Sequence, residues 1–394
     1  MANQGWPATI VDVFDAGPPL RMERRLGLLT ADRPRVVQRA ALAALIGWAP
    51  LLVLSAAETL LFGGDRGRSV VGDFAVHGRS LVAAPLLILA EHDAIPRLGW
   101  IAHHFVDAGL VAEKDRRRFD DAIESTRRRL AASTAEVAAV ILAYAVVVTL
   151  LVSLPAAEFQ SWHLAGSSPS PWFSLAGWWN ALVSIPLLLV LVLGWLWRVL
   201  LWARFLWLMA RLPLRLVPGH PDRAGGLQFV ATSLWAFWLP SFALGSIIAG
   251  SIANRVVYHA ASPFDFTPYA GGLAVFVLVL FAGPLLAFTL QLRDAKRRGM
   301  FQYGALAGSV GAAFERKWLK RAGSADEKAL EVEDFSATTD LFQVVANVYE
   351  MKSAPLSVIG LAMLAASALA PLVPVWLTVV PLQDLVRGLS KFLF

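Results

Sequence analysis

Seven long apolar blocks, almost free of charge, limit what this chain can fold into. A helix of about 20 apolar residues crosses a hydrocarbon core about 30 Å thick. In lipid every backbone N–H and C=O must be satisfied within the segment, which leaves the helix for blocks of this kind. The blocks lie at about 38–62, 81–101, 135–155, 174–202, 227–252, 271–292 and 354–379. The chain is 57% hydrophobic and 16% charged, where soluble domains carry about 25% charged residues. The expected fold is therefore all-α, a polytopic transmembrane helical bundle of about seven spans with cytoplasmic amphipathic helices.

The formal charge of +6 does not point to nucleic acid. Of the 35 Lys and Arg, 28 fall in segments 1–39, 94–133, 203–226 and 293–353. The loops 63–80, 154–177 and 253–270 hold only Arg66, Arg68, Arg79 and Arg255. The positive-inside bias then places the first set in the cytoplasm, with the N-terminus inside and seven crossings. The lipid bilayer is the expected partner. With no Cys, disulfides, thiolate metal sites and Cys nucleophiles are excluded. No nucleotide-binding glycine loop is present, and no cofactor is expected.

The chain divides accordingly. Residues 1–37 form an N-terminal cytoplasmic or interfacial segment, and 38–101 hold spans 1 and 2. Residues 102–133, rich in Arg with apolar residues near helical spacing, predict a cytoplasmic helix. Residues 134–292 hold spans 3 to 6, with a cytoplasmic loop at 211–226. Residues 293–353 predict two cytoplasmic helices, and 354–394 span 7 with a C-terminal interfacial helix. A re-entrant hairpin turning at Pro371–Pro374 is the alternative for span 7.

Span 2 is unusual. Its clean apolar run is only Leu81–Ala90, preceded by His77 and Arg79 and followed by Glu91, His92 and Asp93. Ionisable groups at membrane depth tend to face a bundle interior or a water-filled cavity. These five are the candidate pathway-lining residues, with snorkelling at the two interfaces as the alternative. In span 5, Ser241, Gly245 and Ala249 recur every four residues and predict a close helix–helix contact, within or between subunits.

The most specific local signal is the loop His220-Pro221-Asp222-Arg223-Ala224-Gly225-Gly226. Its His, Asp, Arg and glycines are candidate site residues at the cytoplasmic mouth, beside Glu91, His92 and Asp93. Imidazole and carboxylate together suit a divalent ion, but no spacing here is a metal signature, so the metal is left unknown. Two structural roles compete: Arg223 pairing a carboxylate of span 2, and Asp222 capping the start of span 5. This loop, the run Leu86 to Glu91 and the proline-rich ending Pro371 to Leu382 together resemble an uncharacterised family of bacterial multi-pass inner-membrane proteins. That resemblance implies a bacterial inner membrane and no particular activity.

The reading for function is a channel or passive pathway for ions or small solutes, as a homo-oligomer. The alternative is a non-transporting scaffold or sensor with a cytoplasmic docking platform. An enzyme is not expected.

Overall fold

A computed structural model of the protein describes residues 14, 17, 36–62, 70–153, 161–165, 172–319 and 334–378. Among these the chain is all-α, apart from one two-residue antiparallel pairing of β1 (Leu164–Ala165) with β2 (Trp172–Phe173). Seven helices are long and apolar enough to cross a membrane. They are α1 (Val36–Phe62), α2 (Phe74–Asp107), α4 (Ser133–Ser153), α5 (Leu175–Met209), α6 (Gln228–His259), α7 (Pro263–Leu319) and α9 (Val358–Leu377). Between them lie α3 (Arg116–Leu130) and α8 (Asp334–Tyr349). The protein is a multi-pass integral membrane protein. The expected N-terminal surface segment lies outside the described residues except for Phe14, Gly17 and the start of α1. The expected C-terminal interfacial helix lies wholly outside them.

Consecutive spans alternate in direction, so the basic connectors gather at one end of the bundle, here the basic end. The other is the far end. Span 2 takes in its polar residues: α2 runs through Glu91 and Trp100 to Asp107, a little beyond the expected boundary at 101. Span 6 and the helix expected after it are one continuous helix, α7. Its 57 residues extend about 85 Å at 1.5 Å per residue, so more than half projects beyond the hydrocarbon core. Span 7 does not turn back. It passes Pro371 in one 3₁₀ turn and continues as helix to Leu377.

The prolines set the local geometry. A proline inside a helix lacks the N–H for its i−4 partner and crowds that carbonyl. Pro85 follows a π-turn at Gly78–Ala83, and Pro186 follows one at Asn180–Ser184. Pro284 and Pro371 sit in 3₁₀ turns instead.

The core lies between α2, α5, α6 and α7, where Phe105 meets Phe205, Phe229 and Phe288 with ring centroids 5.1–6.2 Å apart. Helix α4 is peripheral: 17% of its apolar window is buried, against 56% for α6. The small residues of α6 make that burial possible. A Cβ on Gly245 would collide with the Ala368 carbonyl of α9, so only glycine allows this approach. Ser241 and Ala249 are buried on the same side. The offset row meets α2, where a Cβ on Gly250 would lie 2.5 Å from the Phe74 carbonyl. Both rows are occupied inside the chain and offer no face to a second copy.

Candidate functional site

Helix α2 carries the ionisable residues singled out in the sequence, and the fold separates them into two groups. Arg79 and Glu91 are twelve residues apart, about 18 Å along the helix.

At the basic end Glu91 is 3% exposed and clamped by two arginines. Its Oε2 accepts from Arg39 Nη2 of α1 at 2.8 Å, and its Oε1 lies 2.9 Å from Arg198 Nη2 of α5. Both arginines are buried. Trp195 donates its indole N–H to the Leu87 carbonyl at 2.8 Å, and the Arg198 guanidinium stands 5.4 Å from the Trp195 ring. Three spans are thus tied by charge through buried side chains. His92 is exposed, and Asp93 pairs with Arg97 one turn on at 3.1 Å. Neither joins Glu91.

The loop does not join it either. Asp222 Oδ1 accepts from the backbone N–H of Ala224 at 2.8 Å and of Gly226 at 3.1 Å, and its Oδ2 from Gln228 at 3.0 Å. It therefore fastens the loop to the start of α6. Burial works against the charged carboxylate, but these three backbone donors and His220 outweigh it and hold its pKa below the ordinary value. His220 Nδ1 lies 2.8 Å from Asp222 Oδ1. Arg223 does not pair a carboxylate of span 2: Glu91 is enclosed by its arginines, and Arg223 Nη1 meets Glu350 Oε2 at 2.8 Å instead. Its backbone is left-handed at φ 56°, held by Lys352 N–H donating to the Arg223 carbonyl at 2.7 Å. Gly225 and Gly226 follow at φ 64° and 94°. Asp222 thus ties the loop to α6, and Arg223 ties it to Glu350 and Lys352 just after α8. A cavity of about 310 Å³ beside the loop includes His104, His220 and Asp222 but none of Glu91, His92 and Asp93. Among the described residues no group of three or more His, Asp or Glu is disposed to hold a metal ion.

The far end is different. A partly open cavity of about 560 Å³ enters between α2, α4, α5 and α6. Arg79 and Asn180, which lines it from α5, both come from π-turns. Such turns widen a helix and re-aim its side chains. Asn180 is 2% exposed; its Oδ1 accepts from Arg79 Nη2 at 3.4 Å, and its Nδ2 lies 3.0 Å from His163 Nε2. Arg255 and His259 of α6 add further basic groups to the wall.

Among the described residues the one carboxylate in that wall is Asp73, and it is occupied. Its Oδ1 accepts from Val76 N–H at 3.1 Å and Asn254 Nδ2 at 2.8 Å, and its Oδ2 from Trp162 Nε1 at 3.0 Å. It caps the start of α2 and ties it to α6 and to the connector before α5. His77 lies outside the cavity wall: its Nδ1 donates to the Asp73 carbonyl at 2.6 Å, and its ring meets Trp48 edge-on. Nearby, Glu58 Oε1 accepts from Leu175 N–H at 2.8 Å and holds the start of α5.

Sequence reasoning found Arg79 but missed Asn180, His163, Arg255 and His259, and at the other end it missed the pairing of Glu91 with Arg39 and Arg198. One signal was available: Asn180 is the only amide in the apolar run of span 4, six residues before Pro186.

No family model, no curated protein and no solved structure matches the chain.

Proposed function

We propose that the protein is a passive pathway for small solutes across a bacterial inner membrane, with its basic end in the cytoplasm. One observation carries this reading: a cavity enters the bundle from the far end, and Arg79 and Asn180 line it from two π-turns. Ionisable side chains inside spans mark solute paths when they face such a cavity. The gathering of Lys and Arg at one end supports the orientation. Arg39, Glu91 and Arg198 are buried together at the basic end, and on this reading α1, α2 and α5 part there for passage. The reading is non-enzymatic, in keeping with the structural employment of His220 and Asp222 in the loop.

Purified protein in liposomes tests it. Wild type passes at least one small ion or solute, and Arg79→Ala lowers that flux about tenfold or more, the worth of one charge-assisted hydrogen bond. No flux for any common ion or small solute overturns the proposal.

One observation favours a second reading, a scaffold with a docking platform. Helix α7 projects well beyond the bilayer and packs against α8, with Phe301 and Leu319 strongly exposed along it. Liposomes without flux, together with loss of function in cells when residues 300–349 are deleted, would move the reading there.

A further inference from the structure

Among the described residues the wall of the far-end cavity carries more cation than carboxylate. Arg79 and Arg255 are permanently charged, and among the described residues Asp73 is the only carboxylate in the wall. Asp73 acts on Arg79 through space, but among the described residues no carboxylate lies within ion-pair distance of the Arg79 guanidinium. That guanidinium has five N–H donors. Among the described residues its one hydrogen-bond partner is Asn180, at 3.4 Å. The amide is itself held between Arg79 and His163 and buried to 2% exposure, so it orients the guanidinium without neutralising it. Arg79 itself lines the cavity, which leaves the rest of its donor fork for a molecule bound there. The walls beside it are apolar, with Val147, Leu150 and Ile185 among them.

A planar guanidinium matches a carboxylate or phosphate with two parallel hydrogen bonds. A volume of about 560 Å³ is within the range of small-molecule sites. From this geometry we propose that the cavity binds an amphipathic oxyanion: a carboxylate or phosphate held by Arg79, with its apolar part against α4 and α5. The anion comes either free from solution or on the headgroup of an anionic lipid. This deepens the pathway reading and rests on the same cavity.

The test uses the full-length protein. In neutral detergent, its unfolding temperature is followed against benzoate and against benzamide, the uncharged analogue, at constant ionic strength. In nanodiscs, phosphatidylglycerol is compared with phosphatidylcholine. A ligand that binds only the folded state raises the transition in proportion to the logarithm of its excess over Kd. Binding of the free anion appears as a rise of several degrees with benzoate, none with benzamide, and none for Arg79→Gln. Headgroup binding appears as a rise with phosphatidylglycerol alone, again lost in Arg79→Gln.

Asn180→Asp guards against misfolding as an explanation. It supplies a carboxylate to the guanidinium from within, so the variant should be at least as stable as wild type yet insensitive to either anion. No rise in either arm, or a rise that Arg79→Gln or Asn180→Asp retains, overturns the proposal. Flux distinguishes the two readings: anion binding without any flux sinks the pathway and leaves the site, and flux without anion binding does the reverse.

Discussion

The two ends of α2 hold the same kinds of group in opposite circumstances. At the basic end one carboxylate, Glu91, is shared by two guanidiniums, and all three are buried. At the far end one guanidinium, Arg79, has an amide for company and faces a cavity. Burying a charge is costly unless it is paired and hydrogen-bonded. The first arrangement pairs its charges within the protein and acts as a clamp. The second leaves the pairing to solvent or a ligand. Charge within a span is therefore not by itself a sign of function; the neighbours decide.

Glu91→Gln probes the clamp and carries the largest expected effect. It leaves Arg39 and Arg198 without their shared counter-charge, at a cost of about 3–5 kcal/mol. Thermal unfolding in detergent should show a large drop; wild-type stability would mean that the triad is not a clamp. Asp73→Asn comes next. It sets an amide against the Asn254 and Trp162 donors and should cost about 1–3 kcal/mol, with the cavity wall loosened. Asp222→Asn should cost less, about 1–2 kcal/mol, because its amide nitrogen would face a backbone donor that a carboxylate oxygen now accepts from.

Asp222 also sharpens the comparison through pH. Its folded-state pKa is depressed, so its contribution is present at neutral pH. That contribution is lost as pH falls through the ordinary carboxylate range toward the folded value. The difference in unfolding temperature between wild type and Asp222→Asn should therefore shrink on acidification. A constant difference from neutral pH downwards would remove the charged carboxylate from this role.

The smallest stability effect belongs to Arg79→Gln, below about 1 kcal/mol in either direction, since a single long hydrogen bond is lost and a poorly neutralised charge with it. Its effect falls on flux and anion binding. A loss of stability as large as that of Glu91→Gln would erase the contrast between the two ends.

Legibility in the sequence tracks the range of each interaction. The Asp222 cap spans residues 222–228, and a Pro-Asp-x-x-Gly pattern before a helix predicts it. The turns at Pro85 and Pro186 are visible as prolines, though not that they open as π-turns. The triad joins residues 39, 91 and 198, and the far-end site joins residues 79, 163, 180 and 255. No local pattern connects such positions. The sequence grouped His77, Arg79, Glu91, His92 and Asp93 in one lining around a short apolar run. The continuous α2 sets the first two about 18 Å or more from the other three along the helix axis.

The sequence alone determined seven membrane crossings and which connectors carry the basic residues. Apolar transfer and backbone satisfaction sum over some 20 consecutive residues and swamp any single contact. Only the tertiary structure decided which face of each span turns inward. Lipid is as apolar as the protein core, so α1, α4 and the Thr267–Ala282 part of α7 are apolar nearly all round, and no hydrophobic stripe marks the buried side. The rotation and depth of each helix then follow from small residues such as Gly245, from proline turns and from buried pairs such as Glu91 with its two arginines. Those exist only once the helices have met.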